Sequence, residues 1–180
     1  IAFYLSRVGA PACAAGLEEV IAMGAKKILL FGSCGILNCA ADDKIIIPVS
    51  AVRDEGTSYH YLEAADEVSA DADVIERLTA CFERCGHQYI KGKTWTTDAI
   101  YRETAAVIAE RKETGCLCVE MECAAAMAVA KFRDIPFAQF LYGADNLDGE
   151  SGWDARGLCE QGASRAGVYL TCALELCVRL

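Results

Sequence analysis

Two acidic residues at the end of an apolar run are the part of this sequence best suited to chemistry. An apolar run that begins at Cys116 resembles a buried strand and ends in Glu120 and Glu122, and it leads directly into an Ala-rich segment. Side chains alternate along a strand, so we expect Glu120 and Glu122 to project to one side, with Met121 opposite. Buried carboxylates need partners, and ligands of parallel sheets bind beyond the carboxyl ends of the strands. The pattern indicates a ligand-binding pair, or else two acids that favour the start of a helix.

Two other predicted strand ends could contribute to the same site. The segment Gly32–Gly35 follows the apolar run 27–31, and Asp145 follows the apolar run 136–142. Glycines let backbone N–H groups approach an anion, and Ser33 adds a hydroxyl donor, although a plain tight turn explains the same residues. The glycine spacing fits neither a dinucleotide-binding fingerprint nor a P-loop. Asp145 is a second place where a carboxylate ends a buried strand.

Composition excludes several classes of function. The 180 residues are 54% hydrophobic and carry a net charge of −9, which suits one domain with a substantial core. Nucleic acid or an anionic membrane would need a basic face, so neither is expected as a partner. Charged residues interrupt every apolar run before it reaches the length of a membrane span.

The cysteines are predicted to be structural. The chain has 11 of them, at positions 13, 34, 39, 81, 85, 116, 118, 123, 159, 172 and 177. None forms a Cys-x-x-Cys pair, and His60 and His87 are the 2 histidines, so no metal site is predicted. Most cysteines are expected to be small buried hydrophobic residues of a cytoplasmic, reducing environment.

Hydrophobic periodicity predicts alternating strands and helices in one α/β domain over residues 1–180. The strands are predicted at 1–5, 27–31, 44–49, 87–95, 116–122 and 136–142, and the helices at 11–24, 71–85, 102–112, 123–133 and 158–178. Pro48 is placed near the end of its strand. The polar segment 52–61 is either a binding loop or an ordinary solvated loop. Trp95, at a strand end, either stacks on a planar ligand or belongs to the core.

At this point the chain resembles a known family. The segments 32–35 and 119–125, together with Asp145, resemble the nucleoside phosphorylase superfamily in their order and separation. The resemblance implies a three-layer α/β fold with a mixed, partly barrel-like central sheet flanked by helices. It also implies a homo-oligomer, from dimer to hexamer, and N-terminal strands of the family that lie upstream of Ile1.

The resemblance implies roles for individual residues. Glu122 would accept hydrogen bonds from the ribose hydroxyls, which fixes the sugar strongly and directionally. The implied nucleoside-binding residues are Cys34, Trp95, Val119, Glu120, Met121 and Glu122, and the implied phosphate-binding residues are Gly32 and Ser33. Asp145 would protonate N7 of the purine as a general acid, assisted by Arg156. That acid must keep its proton near neutral pH, which burial favours.

The implied reaction is phosphorolytic cleavage of purine nucleosides to free base and ribose 1-phosphate, with phosphate as co-substrate and no cofactor. Uridine-specific members carry a Gln-x-Arg pair that segment 101–106 lacks, and they lack the acid at Asp145. Phosphorolytic members typically carry an Arg where this chain has Leu30; Arg7 and Arg53 are the candidates for the missing charge. The alternatives are a uridine phosphorylase, a phosphate-independent purine nucleosidase and a non-catalytic nucleoside-binding protein.

Overall fold

Six strands and five helices make up the described part of the chain. The computed structural model describes residues 1–149, 153–155 and 162–179. The strands are β1 (Ile28–Ile36), β2 (Ile45–Asp54), β3 (Glu67–Ser69), β4 (Tyr89–Thr97), β5 (Cys116–Glu120) and β6 (Phe137–Asn146). The helices are α1 (Ala10–Ala22), α2 (Ala72–Cys85), α3 (Ala105–Glu113), α4 (Cys123–Phe132) and α5 (Gly162–Arg179). Short 3₁₀ turns lie at Cys39–Ala41, Thr57–His60 and Ile100–Arg102.

The central sheet closes on itself. Its hydrogen-bonded order is β3-β2-β4-β5-β1-β6, and β6 pairs back to β2, so five strands form a barrel with β3 outside it. Three of the pairs, β1–β6, β2–β4 and β4–β5, are parallel. The pairs β1–β5, β2–β6 and β2–β3 are antiparallel. The predicted mixed, partly barrel-like sheet is confirmed.

Helices cover the barrel from different directions. On one side α1 and α4 pack together, with Leu17 against the small, fully buried residues of α4. On another side Phe82 of α2 and Leu176 of α5 pack against Phe140 of β6. The short helix α3 lies against β5 and contributes Ile108 to a cluster around Trp95. Burial of these apolar faces is the main stabilising contribution to the fold.

Helix α2 has the ends that its sequence predicts. The Asp71 carboxylate accepts hydrogen bonds from the N–H groups of Asp73 and Val74, at 2.9 and 3.3 Å. At the other end Gly86 adopts φ 73°, the left-handed conformation that favours glycine. Sequence signals at both ends therefore locate this helix correctly.

The Asp71 cap provides a test of the fold. Replacing Asp71 by Ala is expected to lower the free energy of unfolding by about 1 kcal/mol, because two helix N–H groups lose their acceptor. Glu76→Ala, at an exposed position of the same helix, is the matched control and should change it by less than about 0.5 kcal/mol. Urea denaturation measures both values. Equal stability of Asp71→Ala and wild type would show that the cap contributes nothing.

The N-terminal prediction was wrong. Residues 1–5 form no strand, and the large side chains of Ile1, Phe3 and Leu5 are exposed. The β-rich composition of this segment suggested a strand, but none of the described strands pairs with it. Local propensity cannot form a strand that has no neighbour.

Four strands, β1, β2, β4 and β6, run further than predicted. Strand β2 continues past Pro48 to Asp54, because its register with β4 shifts between Pro48 and Ser50. Such a bulge accommodates a residue that has no N–H to donate. The predicted loop 52–61 is therefore part strand and part 3₁₀ turn. Strand β6 likewise runs to Asn146.

The segment Gly32–Gly35 belongs to β1 and is not a tight turn. The register of β1 with β6 shifts between Cys34 and Gly35, so a bulge lies within this segment. An apolar pattern cannot show where a strand continues through glycine and serine.

Helix boundaries differ less from the predictions. Helix α3 begins at Ala105, after the 3₁₀ turn Ile100–Arg102, and not at Arg102. Helix α5 is described from Gly162 onward, and the predicted residues 158–161 lie outside the described residues.

Most described cysteines are buried, as predicted, and all ten of them are free thiols. Cys159 lies outside the described residues. In the described ranges no group of His, Cys, Asp and Glu is arranged to hold a metal ion. Nor does any described helix have the length and apolar character needed to cross a membrane.

Candidate active site

A cavity of about 1240 Å³ lies beside β1, β5 and β6. The structure brings most of the predicted site residues to its wall: Gly32, Ser33, Cys34, Val119, Glu120, Met121, Glu122 and Asp145. Residues from three separate parts of the chain therefore meet here. Two predicted residues are not among them. Trp95 does not line the cavity, and Arg156 lies outside the described residues.

Glu120 is buried and held by the protein itself. Its side chain is 5% exposed, and its Oε2 accepts the N–H groups of Glu122 at 2.7 Å and Cys123 at 2.6 Å. Its Oε1 accepts the hydroxyl of Thr96 at 2.6 Å. Burial raises the pKa of Glu120 to about 7, although these hydrogen bonds oppose the shift. Its contacts are those of a carboxyl that anchors the start of α4.

Glu122 occupies the position before the first residue of α4. Its Oε1 accepts the N–H of Gly9 at 2.6 Å, which ties the start of α1 to the cavity. Burial raises the pKa of Glu122, and the Gly9 hydrogen bond opposes that shift. Because β5 ends at Glu120, the alternation of a strand stops there, and Met121 lines the cavity beside both acids. The predicted strand alternation of Glu120, Met121 and Glu122 was wrong, because only the first of them belongs to β5.

Thr96 is a buried partner of Glu120 that sequence reasoning missed. Its hydroxyl donates to Glu120 and accepts the N–H of Ala124 at 2.9 Å. Thr96 and Glu120 are register partners on β4 and β5. Only the strand pairing reveals this contact, because the two residues are far apart in the sequence.

Asp145 lies near the end of β6, where β6 approaches β1. Its Oδ2 accepts the indole N–H of Trp153 at 2.7 Å. A Cβ on Gly35 would lie 3.3 Å from Asp145 Oδ1 and 2.4 Å from a methyl group of Leu147. The absence of a side chain at Gly35 therefore permits this close approach.

A further carboxyl group, Glu103, lines the cavity and is half-buried. Burial raises the pKa of Glu103 to about 7, and the charge of Asp145 adds to the effect. The sequence places Glu103 only in a predicted polar helix, 102–112, and in a segment that lacks the uridine-specific pair. The wall of the cavity near Asp145 is thus acidic.

Trp95 belongs to the core. It is 1% exposed, its indole N–H donates to Asp54 Oδ2 at 2.9 Å, and it packs with Leu37 and Val52. The implied contact between Trp95 and a nucleoside has no support in this geometry, whereas the core alternative agrees with it.

Among the described residues two cations, Lys112 and Arg7, line the cavity, and they differ in their partners. Lys112 pairs with the carboxylate of Asp148. The side chain of Arg7 is exposed and makes no hydrogen bond or ion pair with the described residues. Arg53, the other candidate for the missing positive charge, is buried away from the cavity and donates to Ser58 Oγ at 2.8 Å. Leu30 lines the cavity as an apolar residue.

Comparison with known proteins places this geometry in a family. The family model described as Phosphorylase superfamily matches residues 2–174. The chain belongs to the phosphorylase superfamily. The predicted family is thereby confirmed.

Curated relatives in the phosphorylase superfamily carry different substrate names. Guanosine phosphorylase of Halorubrum lacusprofundi is 26% identical over 125 residues, which is 69% of this chain and 52% of that protein. Uridine phosphorylase of Thermococcus kodakarensis is 35% identical over 95 residues, or 52% of this chain and 34% of that protein. The chain thus spans about half the length of the first relative and a third of the second.

Solved structures show the same fold. Purine nucleoside phosphorylase from Toxoplasma gondii in complex with immucillin-H has a TM-score of 0.78 at 21% identity, covering 97% of this chain and 72% of its own. AMP nucleosidase from Bacteroides thetaiotaomicron has a TM-score of 0.68 at 25% identity, covering 76% of this chain and 59% of its own. Names ending in phosphorylase and in nucleosidase therefore both occur among similar proteins.

Proposed function

We propose that this protein cleaves the N-glycosidic bond of purine nucleosides by phosphorolysis, releasing the free base and ribose 1-phosphate. The observation that carries the proposal is that Glu122 and Asp145, from different elements, line one cavity. The reaction needs one carboxylate to fix the sugar and one acid to protonate the leaving base. The family membership of the chain supports the same assignment.

Glu122 is the residue suited to the sugar. A carboxylate offers about four acceptor positions. The N–H of Gly9 uses one of them, which leaves positions for two ribose hydroxyls. Charge-assisted hydrogen bonds of this kind hold the anomeric carbon in place while positive charge develops on the ribose.

Asp145 is the residue suited to the base. As the bond from the anomeric carbon to N9 breaks, the bonding electrons pass to the purine, and a proton delivered to N7 neutralises it. Asp145 lines the same cavity as Glu122, so both ends of one nucleoside can be bound at once. A pyrimidine has no N7 to accept that proton, which is why the proposal names purines.

The phosphate would bind beside β1. Ser33 supplies a hydroxyl donor there, and Arg7, of the two described cations that line the cavity, is the one without a described partner. A phosphate oxygen would then attack the anomeric carbon from the face opposite the base. Leu30, in place of an Arg, favours a second candidate, a nucleosidase in which water is the attacking group.

Release of free base from inosine, adenosine and uridine, with and without phosphate, tests the proposal. Phosphate-dependent release from inosine or adenosine is the expected result. Release from the same nucleosides at equal rates without phosphate would make the protein a nucleosidase. Release from uridine alone would favour the activity named for the Thermococcus relative. Binding without any release would identify a nucleoside-binding protein.

A further inference from the structure

We propose that Trp153 is the aromatic residue against which the nucleobase binds, and that its indole N–H selects which oxygen of Asp145 carries the transferable proton. The second half of this inference rests on the proposed function, because it concerns the proton that the base receives. The first half concerns binding alone and can be tested without turnover.

The backbone holds Trp153 beside the end of β6. Asn146 and Asp154 form an antiparallel bridge, with N–H···O distances of 2.9 and 2.8 Å in the two directions. In an antiparallel bridge the residue before Asp154 lies opposite the residue after Asn146, so these hydrogen bonds place Trp153 beside Leu147. Leu147 is itself held against β1, since its N–H donates to Ile36 O at 2.8 Å. The main chain thus holds Trp153 near the end of β6, and the contact with Asp145 is made by the side chains, with the indole N–H donating to Asp145 Oδ2 at 2.7 Å.

Trp153 is exposed where a tryptophan would ordinarily be buried. Its side chain is 63% exposed and lines the cavity, whereas Trp95 is 1% exposed in the core. An exposed, amphipathic ring beside a cavity is a typical surface for a planar ligand. Purine bases stack on such rings because each base has a π-face. Since the indole N–H already binds Asp145, a base lying on the ring would be next to the acid.

The indole N–H also distinguishes the two oxygens of Asp145. Oδ2 accepts the N–H of Trp153 at 2.7 Å, so a proton on Asp145 would occupy Oδ1. When the base leaves, that proton passes from Oδ1 to N7, and the resulting carboxylate keeps the indole as a donor. Trp153 thus acts on the acid by positioning it, while its ring contacts the base.

Tyr101 is the exposed competing aromatic residue among the described residues of the cavity wall, since Phe31, which also lines it, is stacked on Phe140. It is 95% exposed, in the 3₁₀ turn before α3, and none of the described residues forms a side-chain hydrogen bond with it. A base could stack on this ring without any link to Asp145. Tyr101→Ala is therefore the matched comparison for Trp153→Ala.

Indole N–H resonances test the contact directly, because the chain has 2 tryptophans. In ¹⁵N-tryptophan-labelled protein, the signal absent from Trp153→Phe belongs to Trp153, and the Trp95 signal serves as an internal reference. We expect added hypoxanthine to shift the Trp153 signal and to leave the Trp95 signal in place. We also expect Asp145→Asn to shift the Trp153 signal. A Trp153 signal that stays fixed at saturating hypoxanthine, or in Asp145→Asn, would overturn the inference.

Affinity and turnover separate the two roles. Trp153→Ala is expected to weaken hypoxanthine binding by roughly 10- to 100-fold, and Tyr101→Ala by less than about threefold. Trp153→Phe keeps a ring but loses the donor, so its affinity should stay within about threefold while kcat for inosine falls about tenfold. The reverse ranking of the two alanine variants would assign the base to Tyr101. Unchanged kcat in Trp153→Phe would remove the positioning role.

Failure of the inference differs from failure of the proposed function. If no nucleoside is cleaved but hypoxanthine binding still depends on Trp153, the base contact stands and phosphorolysis is wrong. If inosine is cleaved and Trp153→Ala binds hypoxanthine as wild type does, the contact is wrong and phosphorolysis stands.

Discussion

Replacing Asp145 by Asn is expected to slow purine release from inosine by about 100-fold or more at pH 7, with inosine affinity within about threefold of wild type. The amide can still accept the indole N–H of Trp153 through its oxygen, so the cavity keeps its shape. It cannot deliver a proton to N7 as the glycosidic bond breaks. Steady-state kinetics measure the rate of purine release, and a binding measurement in the absence of phosphate gives the affinity for inosine.

A substrate that needs no proton sharpens this prediction. In 7-methylguanosine the methyl group already gives the imidazole ring its positive charge, so no acid is required for the base to leave. We expect Asp145→Asn to cleave 7-methylguanosine within about threefold of the wild-type rate. An equal loss of rate on inosine and on 7-methylguanosine would mean that Asp145 positions the nucleoside and does not protonate it.

Asp148→Asn is the matched control for that experiment. Asp148 lies on the same cavity wall three residues further along, where it pairs with Lys112 and accepts the N–H of Cys39 at 2.8 Å. It has no part in proton transfer, so its rate on inosine should stay within about threefold of wild type. A loss comparable to that of Asp145→Asn would contradict the assignment of the acid.

Replacing Glu120 by Ala is expected to lower the free energy of unfolding by about 3–5 kcal/mol. The change leaves the N–H groups of Glu122 and Cys123 and the hydroxyl of Thr96 without their acceptor in a buried place. Each buried donor that loses its partner costs about 1–3 kcal/mol, and a cavity adds to the loss. Urea denaturation at pH 7 measures it, with Glu113→Ala on the exposed side of α3 as the control. A loss below about 1 kcal/mol would contradict the anchoring role.

Glu120→Gln separates the charge from the hydrogen bonds. The pKa of Glu120 is raised from 4.5 to about 7, so the folded chain holds this proton more tightly than the unfolded chain does. The contribution of Glu120 to stability is therefore fully present below pH 4.5 and is lost as pH rises through about 7. The free energy of unfolding lost in this way is on the order of 3 kcal/mol. Gln cannot ionise, so the unfolding free energy of Glu120→Gln should vary less between pH 4.5 and 8 than that of wild type. If the two proteins show parallel curves of unfolding free energy against pH, the pKa shift is contradicted.

Much of the fold could be predicted from the sequence, for local reasons. Asp71 and Gly86 mark the ends of α2, and the Ala-rich segment after Glu122 forms α4. The barrel came from the family resemblance, because closure depends on the pairing of β6 with β2, which no local pattern encodes. Residues 1–5 show the opposite case, in which a strand-like sequence lacks a neighbouring strand.

The site could be predicted in part. Glu122 and Asp145 were found because carboxylates at strand ends are unusual, and the structure places both on one cavity. Glu120 was expected to bind the ligand, yet its protein contacts are visible only after β4 and β5 are paired. Trp95 and Trp153 look alike in a sequence, and only the three-dimensional structure shows which one reaches the cavity. The part of the prediction that concerns Arg156 stays untested.

Phosphorus NMR of a mixture of protein, inosine and inorganic phosphate is the most direct test of the central claim. The account predicts that the phosphate signal decreases while a ribose 1-phosphate signal grows in equal amount with free hypoxanthine. Hypoxanthine that accumulates while the phosphate signal stays constant would contradict phosphorolysis and identify water as the attacking group.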